Sequence, residues 1–257
     1  MSEMRIGSLF SGIGGLELGL ERAGLGHTVW QCEIDERCRR VLARHWPDAL
    51  RYDDVRSLDA RALPPIDLLC GGFPCQDLSS AGRGAGLRGP KSGLWFEFLR
   101  LIRELRPRWV VIENVASGAL KWADPVRGAL GRAGYASLPI PLSASDLGAP
   151  HCRARVFLAA WHTAHAARLS ELRAPQLSLA DTEGPSKPPA HVPWREVGWT
   201  GRVPEFRRVA HGVSRRLDGI SDGARRTMLG NAVVPQCAEV VGLVVRELDA
   251  QLFGGAP

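Results

Sequence analysis

Short apolar runs alternate with amphipathic stretches through about the first 160 residues of the chain. The apolar runs, which predict β-strands, are Ile6–Phe10, Thr28–Cys32, Ile66–Cys70, Trp109–Ile112, Tyr135–Leu142 and Arg155–Ala160. Apolar residues at helical spacing lie between them, at Leu16–Ala23, Arg37–His45, Leu94–Leu105 and Val126–Ala133. Strands that alternate with helices of this length predict an α/β fold, with a mostly parallel sheet and helices on both faces.

The alternation stops after residue 162. From about residue 163 to residue 212 the chain is rich in Pro, Ser, His and Arg, and Trp194, Trp199 and Phe206 indicate that part of this stretch packs. Helical spacing returns in Pro235–Leu252. We therefore expect a main domain over residues 1–162, a small irregular domain over residues 163–222, and a segment over residues 223–257 that returns to the main domain.

Composition limits the class of protein. The 257 residues, 45% of them hydrophobic, suffice for one α/β domain and a smaller appendage. No run of 18 apolar residues predicts a membrane span, and the N-terminus lacks the pattern of a signal peptide. The six cysteines are irregularly spaced and predict neither a disulfide framework nor a zinc site, so a reducing cytoplasm fits best. The net charge of +6 is compatible with a polyanionic partner.

A glycine-rich turn follows the first predicted strand, in LFSGIGGLELGL. Such a turn lets the backbone approach a ligand closely. The second strand ends in CEID, and its Glu33 can accept hydrogen bonds from ribose hydroxyls. Asp53 and Asp54 follow where a third strand should end; Asp54 could reach an adenine amino group or be solvated loop charge. Together these features predict a nucleoside site, and they leave a nicotinamide cofactor and S-adenosylmethionine both open.

Three further groups occur at predicted strand ends. Cys75 follows the fourth strand, where it is either a structural thiol or a nucleophile that a partner must activate. Glu113 and Asn114 follow a fully apolar run, and burial there should raise the pKa of Glu113, which suits a general acid. Arg153 and Arg155 alternate on one face of a later strand and offer donors for a carbonyl or phosphate oxygen. Because ligands bind at the carboxyl ends of such strands, these groups predict one functional site.

Ordered motifs along nearly the whole chain resemble those of the DNA cytosine 5-methyltransferases. They are FSGIGG, Glu33, Asp54 with Val55, GGFPCQDLSSAG, IENV, RARVF and LGNAVVPQ. Two features depart from the family pattern. His151 stands where glutamine is usual. The stretch between the arginine pair and Gly230 is short for the family, so the size of the target-reading domain is an open question.

The resemblance implies a Rossmann-like S-adenosylmethionine-dependent methyltransferase fold, with residues 1–162 as the catalytic and cofactor-binding domain and residues 163–222 as the target-recognition domain. S-adenosyl-L-methionine would be the cofactor and S-adenosyl-L-homocysteine its product. The implied cofactor-binding residues are Phe10, Ser11, Gly12, Gly14, Gly15, Glu33, Ile34, Asp54, Val55, Pro74, Asn231 and Val233. The implied DNA contacts are Gln76, Ser79 and Asn114.

The resemblance also implies a reaction at an extruded cytosine, since the ring carbons are out of reach inside a duplex. Cys75 would add to carbon 6, Glu113 would protonate or hydrogen-bond ring nitrogen 3, and Arg155 would hold the exocyclic oxygen with support from Arg153. The partners would be double-stranded DNA and, in a restriction-modification system, a cognate restriction endonuclease. We expect the protein to be a monomer in the cytoplasm, associated with the nucleoid. We expect it to need neither a membrane nor a metal.

Three alternatives are weaker. A tRNA cytosine methyltransferase would share the same core. A catalytically silent homologue would be expected to lack the nucleophile or the cofactor acids, which are present here. A nicotinamide oxidoreductase accounts for the first 35 residues only and leaves the later motifs without a role.

Overall fold

The computed structural model describes residues 3–74, 93–117, 119–165 and 228–254. The predicted nucleophile Cys75, the predicted DNA contacts Gln76 and Ser79, and residues 166–227 of the predicted small domain and returning segment lie outside these ranges. The domain boundaries therefore stay a prediction.

A seven-stranded sheet forms the centre of the molecule. Its strands are β1 (Met4–Leu9), β2 (Gly26–Cys32), β3 (Leu50–Tyr52), β4 (Leu68–Gly71), β5 (Trp109–Val115), β6 (Tyr135–Ser143) and β7 (Ala154–His162). In the order β3-β2-β1-β4-β5-β7-β6, the first five strands run parallel, and β7 pairs antiparallel with both β5 and β6. The predicted mostly parallel α/β sheet is confirmed.

In the part of the chain that the structure describes, five helices of eight or more residues connect and cover the strands. They are α1 (Gly15–Arg22), α2 (Glu36–His45), α3 (Leu94–Leu105), α4 (Ala119–Arg132) and α5 (Pro235–Phe253). Helix α3 has the predicted bounds, whereas α4 begins at Ala119 instead of Val126. The difference arises at Pro125, which lies inside the helix. Proline is most often a first-turn residue, but here it lies one turn or more inside the helix.

The two faces of the sheet carry separate apolar cores. Helices α3 and α4 cover one face, with Trp95, Phe98 and Trp122 fully buried or nearly so. Helices α1 and α5 cover the other face, through residues such as Leu20 and Val241. This two-sided cover explains why the central strands read as continuous apolar runs.

Helix α5 lies very close to α1, because glycines occur at their contact. A Cβ atom on Gly19 would lie 2.4 Å from the Cβ of Ala238, and one on Gly242 would lie 2.5 Å from the Cβ of Ala23. The helical stretch Met228–Phe253 is long and apolar enough to cross a membrane by composition, but half of its most apolar window is buried inside the fold. Such burial is typical of the core helix of a folded domain, so the stretch is weak evidence for a membrane span.

Candidate active site

A cavity of about 410 Å³ opens at the carboxyl ends of the parallel strands. It lies at the point where the strand order reverses, because the chain passes outward from β1 to β2 and β3 on one side and to β4 and β5 on the other. Open α/β sheets bind their ligands at such a switch point. The lining residues are Phe10, Gly12, Cys32, Glu33, Ile34, Asp35, Cys38, Asp53, Asp54, Val55, Arg56, Gly72, Phe73, Pro74, Leu94, Glu113, Asn114, Val115, Arg155, Met228, Gly230 and Asn231.

The glycine-rich turn between β1 and α1 forms one wall and fixes the acid opposite. The backbone N–H of Gly12 donates a 2.8 Å hydrogen bond to Glu33 Oε2, and the N–H of Asp35 donates a 2.9 Å hydrogen bond to Oε1. Gly12 has a φ of +55°, and a Cβ built on it meets nothing within 4 Å. The turn therefore leaves open space beside a carboxylate that the backbone holds in place.

Four of the predicted cofactor residues do not line the cavity. The hydroxyl of Ser11 points inward and donates to Ser8 Oγ at 2.9 Å. A Cβ on Gly14 would lie 2.3 Å from the Trp46 ring, and one on Gly15 would lie 2.2 Å from the carbonyl oxygen of Val233. These residues shape the turn from behind, so a direct contact with a ligand stays a prediction for each of them.

The acids after β3 form the next part of the rim. Asp54 accepts hydrogen bonds from the backbone N–H of Arg56 at 3.0 Å and from its guanidinium, with Nη2 2.6 Å from Oδ2. These bonds to Arg56 hold the pKa of the Asp54 carboxyl below its usual value. Asp53 lines the same rim. The predicted contact of Asp54 with an adenine amino group would have to share the carboxylate with Arg56.

Glu113 and Arg155 form an ion pair at the far end of the cavity. Arg155 Nε lies 2.7 Å from Glu113 Oε1, and only 9% of Glu113 is exposed. The antiparallel pairing of β5 with β7 sets Arg155 opposite Val115, two residues from Glu113 on the same face. Burial raises the pKa of Glu113, while the charges of Arg155 and Arg153 partly oppose that rise.

The segment after β4 packs against this pair. Asn114 Nδ2 donates a 3.0 Å hydrogen bond to the carbonyl oxygen of Phe73, so Asn114 holds the chain just before Pro74. Gly72 passes so close that a Cβ there would lie 2.7 Å from Glu113 Oε2. Pro74 lines the cavity, and Cys75 is the next residue in the chain, outside the described ranges.

Arg153 holds a loop. Its Nη2 donates 2.7 Å hydrogen bonds to the carbonyl oxygens of Gly230 and Ala232, on either side of Asn231. This contact could not be foreseen, because it joins residues more than 70 positions apart in the sequence. His151 does not line the cavity, and burial together with the charge of Arg153 lowers its pKa.

Several lining residues carried no recognisable signal in the sequence. Cys32, Cys38, Phe73, Leu94 and Met228 are apolar positions that read as core. Burial raises the pKa values of Cys32 and Cys38 to about 12, so these thiols stay neutral walls. Within residues 3–74, 93–117, 119–165 and 228–254 no group of three His, Cys, Asp or Glu side chains is arranged to hold a metal ion.

The C-5 cytosine-specific DNA methylase family matches residues 4–188, more than half of the chain. The chain belongs to this family. It is 38% identical over 168 residues to the type II methyltransferase M2.BsuMI of Bacillus subtilis, an alignment that covers 61% of this chain and 42% of that protein. It is 35% identical over 178 residues to M.AquIA of Picosynechococcus, covering 61% of this chain and 71% of the relative.

Solved structures agree with the fold. A putative DNA modification methyltransferase encoded within an Escherichia coli prophage matches with a TM-score of 0.53 and 32% identity, over 63% of this chain and 47% of that one. A DNMT2 variant of Spodoptera frugiperda matches with the same TM-score at 20% identity, over 62% and 50% of the two chains, which supports the fold alone. The aligned part of this chain covers 42% of M2.BsuMI and 47% of the prophage protein, less than half of the length of each.

Proposed function

We propose that this chain transfers a methyl group from S-adenosylmethionine to carbon 5 of a cytosine that is turned out of duplex DNA, through a covalent adduct with Cys75. One observation carries the proposal: the buried Glu113–Arg155 pair faces the same cavity as the backbone-held carboxylate of Glu33. Membership of the cytosine-5 methylase family supports the type of reaction.

The cavity has the features that S-adenosylmethionine would need. Its volume falls in the range of small-molecule sites, and its rim carries the acids Glu33, Asp53 and Asp54. A ligand with a sulfonium charge is favoured by such a rim. The open space at Gly12 gives room for a ribose beside Glu33, whose oxygens could exchange backbone donors for ribose hydroxyls. When bound, the cofactor supplies an electrophilic methyl group.

The residues at the far end would act on the cytosine. The Cys75 sulfur would form a bond to carbon 6, and the electrons of the carbon 5–carbon 6 double bond would become available at carbon 5. Glu113, whose pKa burial raises, would donate a hydrogen bond or proton to nitrogen 3. Arg155 would hold the exocyclic oxygen with its remaining N–H groups. After methylation, loss of the proton on carbon 5 re-forms the double bond and releases Cys75.

Two polar residues, Asn114 and Arg153, would act through the chain segments that they hold. Asn114 fixes the Phe73 carbonyl, and therefore the approach of the chain to Cys75. Arg153 fixes the loop that carries Asn231, which lines the cavity. We therefore assign Arg153 a supporting role in the site.

Methylation sequencing tests the proposal directly. Plasmid from cells that express this chain should contain 5-methylcytosine at one short sequence, and plasmid from cells that express Cys75→Ser should not. Duplex DNA and tRNA offered to the purified protein separate the two substrate classes. A soluble protein that binds S-adenosylmethionine but methylates no DNA would refute the assignment.

The partners follow from the same proposal. Duplex DNA is the expected substrate, and the type II names of the relatives point to a restriction-modification system with a cognate endonuclease. We further expect a monomer in the cytoplasm. Size-exclusion chromatography with and without target DNA would test the oligomeric state.

A further inference from the structure

A buried polar cluster lies beneath the glycine-rich turn and has no part in the chemistry above. Gln31 on β2 and Cys70 on β4 are both register partners of Ser8 on β1, so the three side chains lie in a row across neighbouring strands. Glu17, in the first turn of α1, packs against this row. Glu17, Ser8, Gln31 and Cys70 are all 0% exposed.

Two atoms of this cluster lack hydrogen-bond partners among the described residues. Gln31 Nε2 donates a long, 3.5 Å hydrogen bond to Glu17 Oε1. Glu17 Oε2 and Gln31 Oε1 are buried, and neither has a partner. A buried acceptor without a donor costs free energy, so two of them on a pair of hydrogen-bonded side chains call for an explanation.

One proton on Glu17 Oε2 gives both atoms a partner. A carboxylic acid and a primary amide that face each other form a ring of two hydrogen bonds: the amide N–H donates to one carboxyl oxygen, and the carboxyl O–H donates to the amide oxygen. The first of these bonds is present, and the two unpartnered atoms are the donor and acceptor of the second. No cation of the described residues pairs with Glu17.

We propose that Glu17 is held in its protonated form as an acid–amide pair with Gln31, and that this pair positions the glycine-rich turn for the cofactor. This inference rests on the proposed use of S-adenosylmethionine. Glu17 is a positioning residue, because it lies beneath the turn and does not line the cavity.

The link from the pair to the cavity is short. Glu17 belongs to the helix that begins where the turn ends, and Gln31 lies two residues before Glu33. The Ser11 N–H donates to the carbonyl oxygen of Cys32 at 3.2 Å, and the Gly12 N–H donates to Glu33. The pair thus fixes α1 against β2 at the level where the turn and Glu33 meet.

The charges around Glu17 favour the proton. Burial raises the pKa of Glu17 to about 7, and the charge of Glu21 adds to that rise, while the hydroxyls of Ser8 and Ser11 oppose it. Strand β4 contributes the Cys70 thiol to the cluster. This thiol stays neutral because burial raises its pKa well above the usual value. On α5, which packs against α1, the backbone nitrogen of Glu239 would lie 2.7 Å from a Cβ on Gly19, and Glu239 is 7% exposed. Raising the pH above neutrality should therefore ionise Glu17 and break the pair.

Two measurements test the proposal. The first is the carboxyl carbon signal of Glu17 in ¹³C-glutamate-labelled full-length protein, identified by its absence in Glu17→Gln. We expect its titration midpoint within about one pH unit of 7, well above the usual range for glutamate. A midpoint in the ordinary range would overturn the protonated pair.

The second is the Kd of S-adenosylhomocysteine by calorimetry between pH 6 and pH 8.5. The wild-type Kd should rise with pH, by up to about tenfold per pH unit above the midpoint, with proton uptake on binding. Glu17→Gln keeps two hydrogen bonds as an amide–amide pair, so its Kd should not change over the same range apart from titration of the ligand itself. The matched control Glu36→Gln removes an exposed carboxyl from α2 and should follow the wild type.

The outcomes separate the two proposals. A Glu17→Gln profile that follows the wild type would overturn the positioning role. A wild type that binds no S-adenosylhomocysteine at any pH would overturn the proposed cofactor and the positioning role together. The Glu17 signal in the unliganded protein would still decide whether the protonated pair exists.

Discussion

At the scale of single residues, the Glu113–Arg155 contact governs how an acid can work in this site. The arginine occupies Oε1 at 2.7 Å, so in the proposed reaction Oε2 is the oxygen left to carry a proton. Burial raises the pKa of Glu113, so the protonated form is more populated near neutral pH than it would be on the surface. The pair thus orients the Glu113 carboxyl, and burial makes its protonated form easier to reach.

Replacing Glu113 by Gln should test that role. The amide keeps the shape but cannot transfer a proton, so we expect the methyl-transfer rate to fall by about 10²–10⁴-fold. The Kd of S-adenosylhomocysteine should stay within about twofold, because Glu33 and the turn would hold that ligand. Single-turnover assays and calorimetry measure the two quantities, with Glu104→Gln on exposed α3 surface as the matched control. An unchanged rate in Glu113→Gln would exclude it as the acid.

The positions of the individual polar residues could be predicted from the sequence to different extents. Glu33 and Glu113 could be placed together from the sequence, because the parallel strands that they follow or end converge at one edge of the sheet. Arg155 lies at the beginning of β7 and reaches the same edge because β7 runs antiparallel to β5, which the apolar pattern does not predict. Glu17 could not, since a glutamate in the first turn of an amphipathic helix reads as exposed charge. Only the row of Ser8, Gln31 and Cys70 on three separate strands gives it a buried polar site.

At the scale of elements, the segment that leaves β4 depends on the absence of a side chain at Gly72. A Cβ there would lie 2.7 Å from Glu113 Oε2 and 3.3 Å from the Glu113 carbonyl oxygen. The carboxylate cannot simply move away, because Arg155 holds it. The close approach of β4 and β5 therefore sets the position of the acid.

Gly72→Ala should consequently lower the methyl-transfer rate by about tenfold or more, because a displacement of an ångström at a catalytic group is costly. The protein should remain folded, as judged by circular dichroism and binding of S-adenosylhomocysteine. Gly131→Ala is the matched control: a Cβ there meets nothing within 4 Å, and it lies in α4. Alanine should stabilise that helix by up to about 1 kcal/mol. Equal rates for the two variants would contradict the argument.

The elements themselves were largely predictable from periodicity, and the exceptions have local causes. The antiparallel insertion of β7 between β5 and β6 has no counterpart in the apolar pattern, because pairing direction depends on how the chain returns and not on alternation. Pro139 and Pro141 are compatible with β6 because it is an edge strand, where missing N–H donors cost little.

At the scale of the whole molecule, the chain closes on itself through α5. The sequence predicted a C-terminal helix from spacing alone, but its attachment depends on residues far apart in the chain. Asp249 near its end is 3% exposed; it accepts a 2.6 Å hydrogen bond from Trp109 Nε1 on β5 and lies 3.3 Å from Arg108 Nε. Phe253 packs against the Trp109 ring at 6.1 Å between centroids. The end of α5 is thus fixed to the base of the central sheet.

Loss of Asp249 should weaken the whole fold because it leaves a buried indole N–H and a partly buried guanidinium without their acceptor. We expect Asp249→Ala to lower the free energy of unfolding by about 3 kcal/mol. Asp249→Asn keeps an acceptor for Trp109 and should cost less. Glu247→Ala, on the exposed side of the same helix, should change stability by less than about 0.5 kcal/mol. Urea unfolding followed by tryptophan fluorescence measures all three. If Asp249→Ala unfolds at the same urea concentration as Glu247→Ala, α5 is held by its apolar face alone, through the contacts of Ala238 and Gly242 with α1.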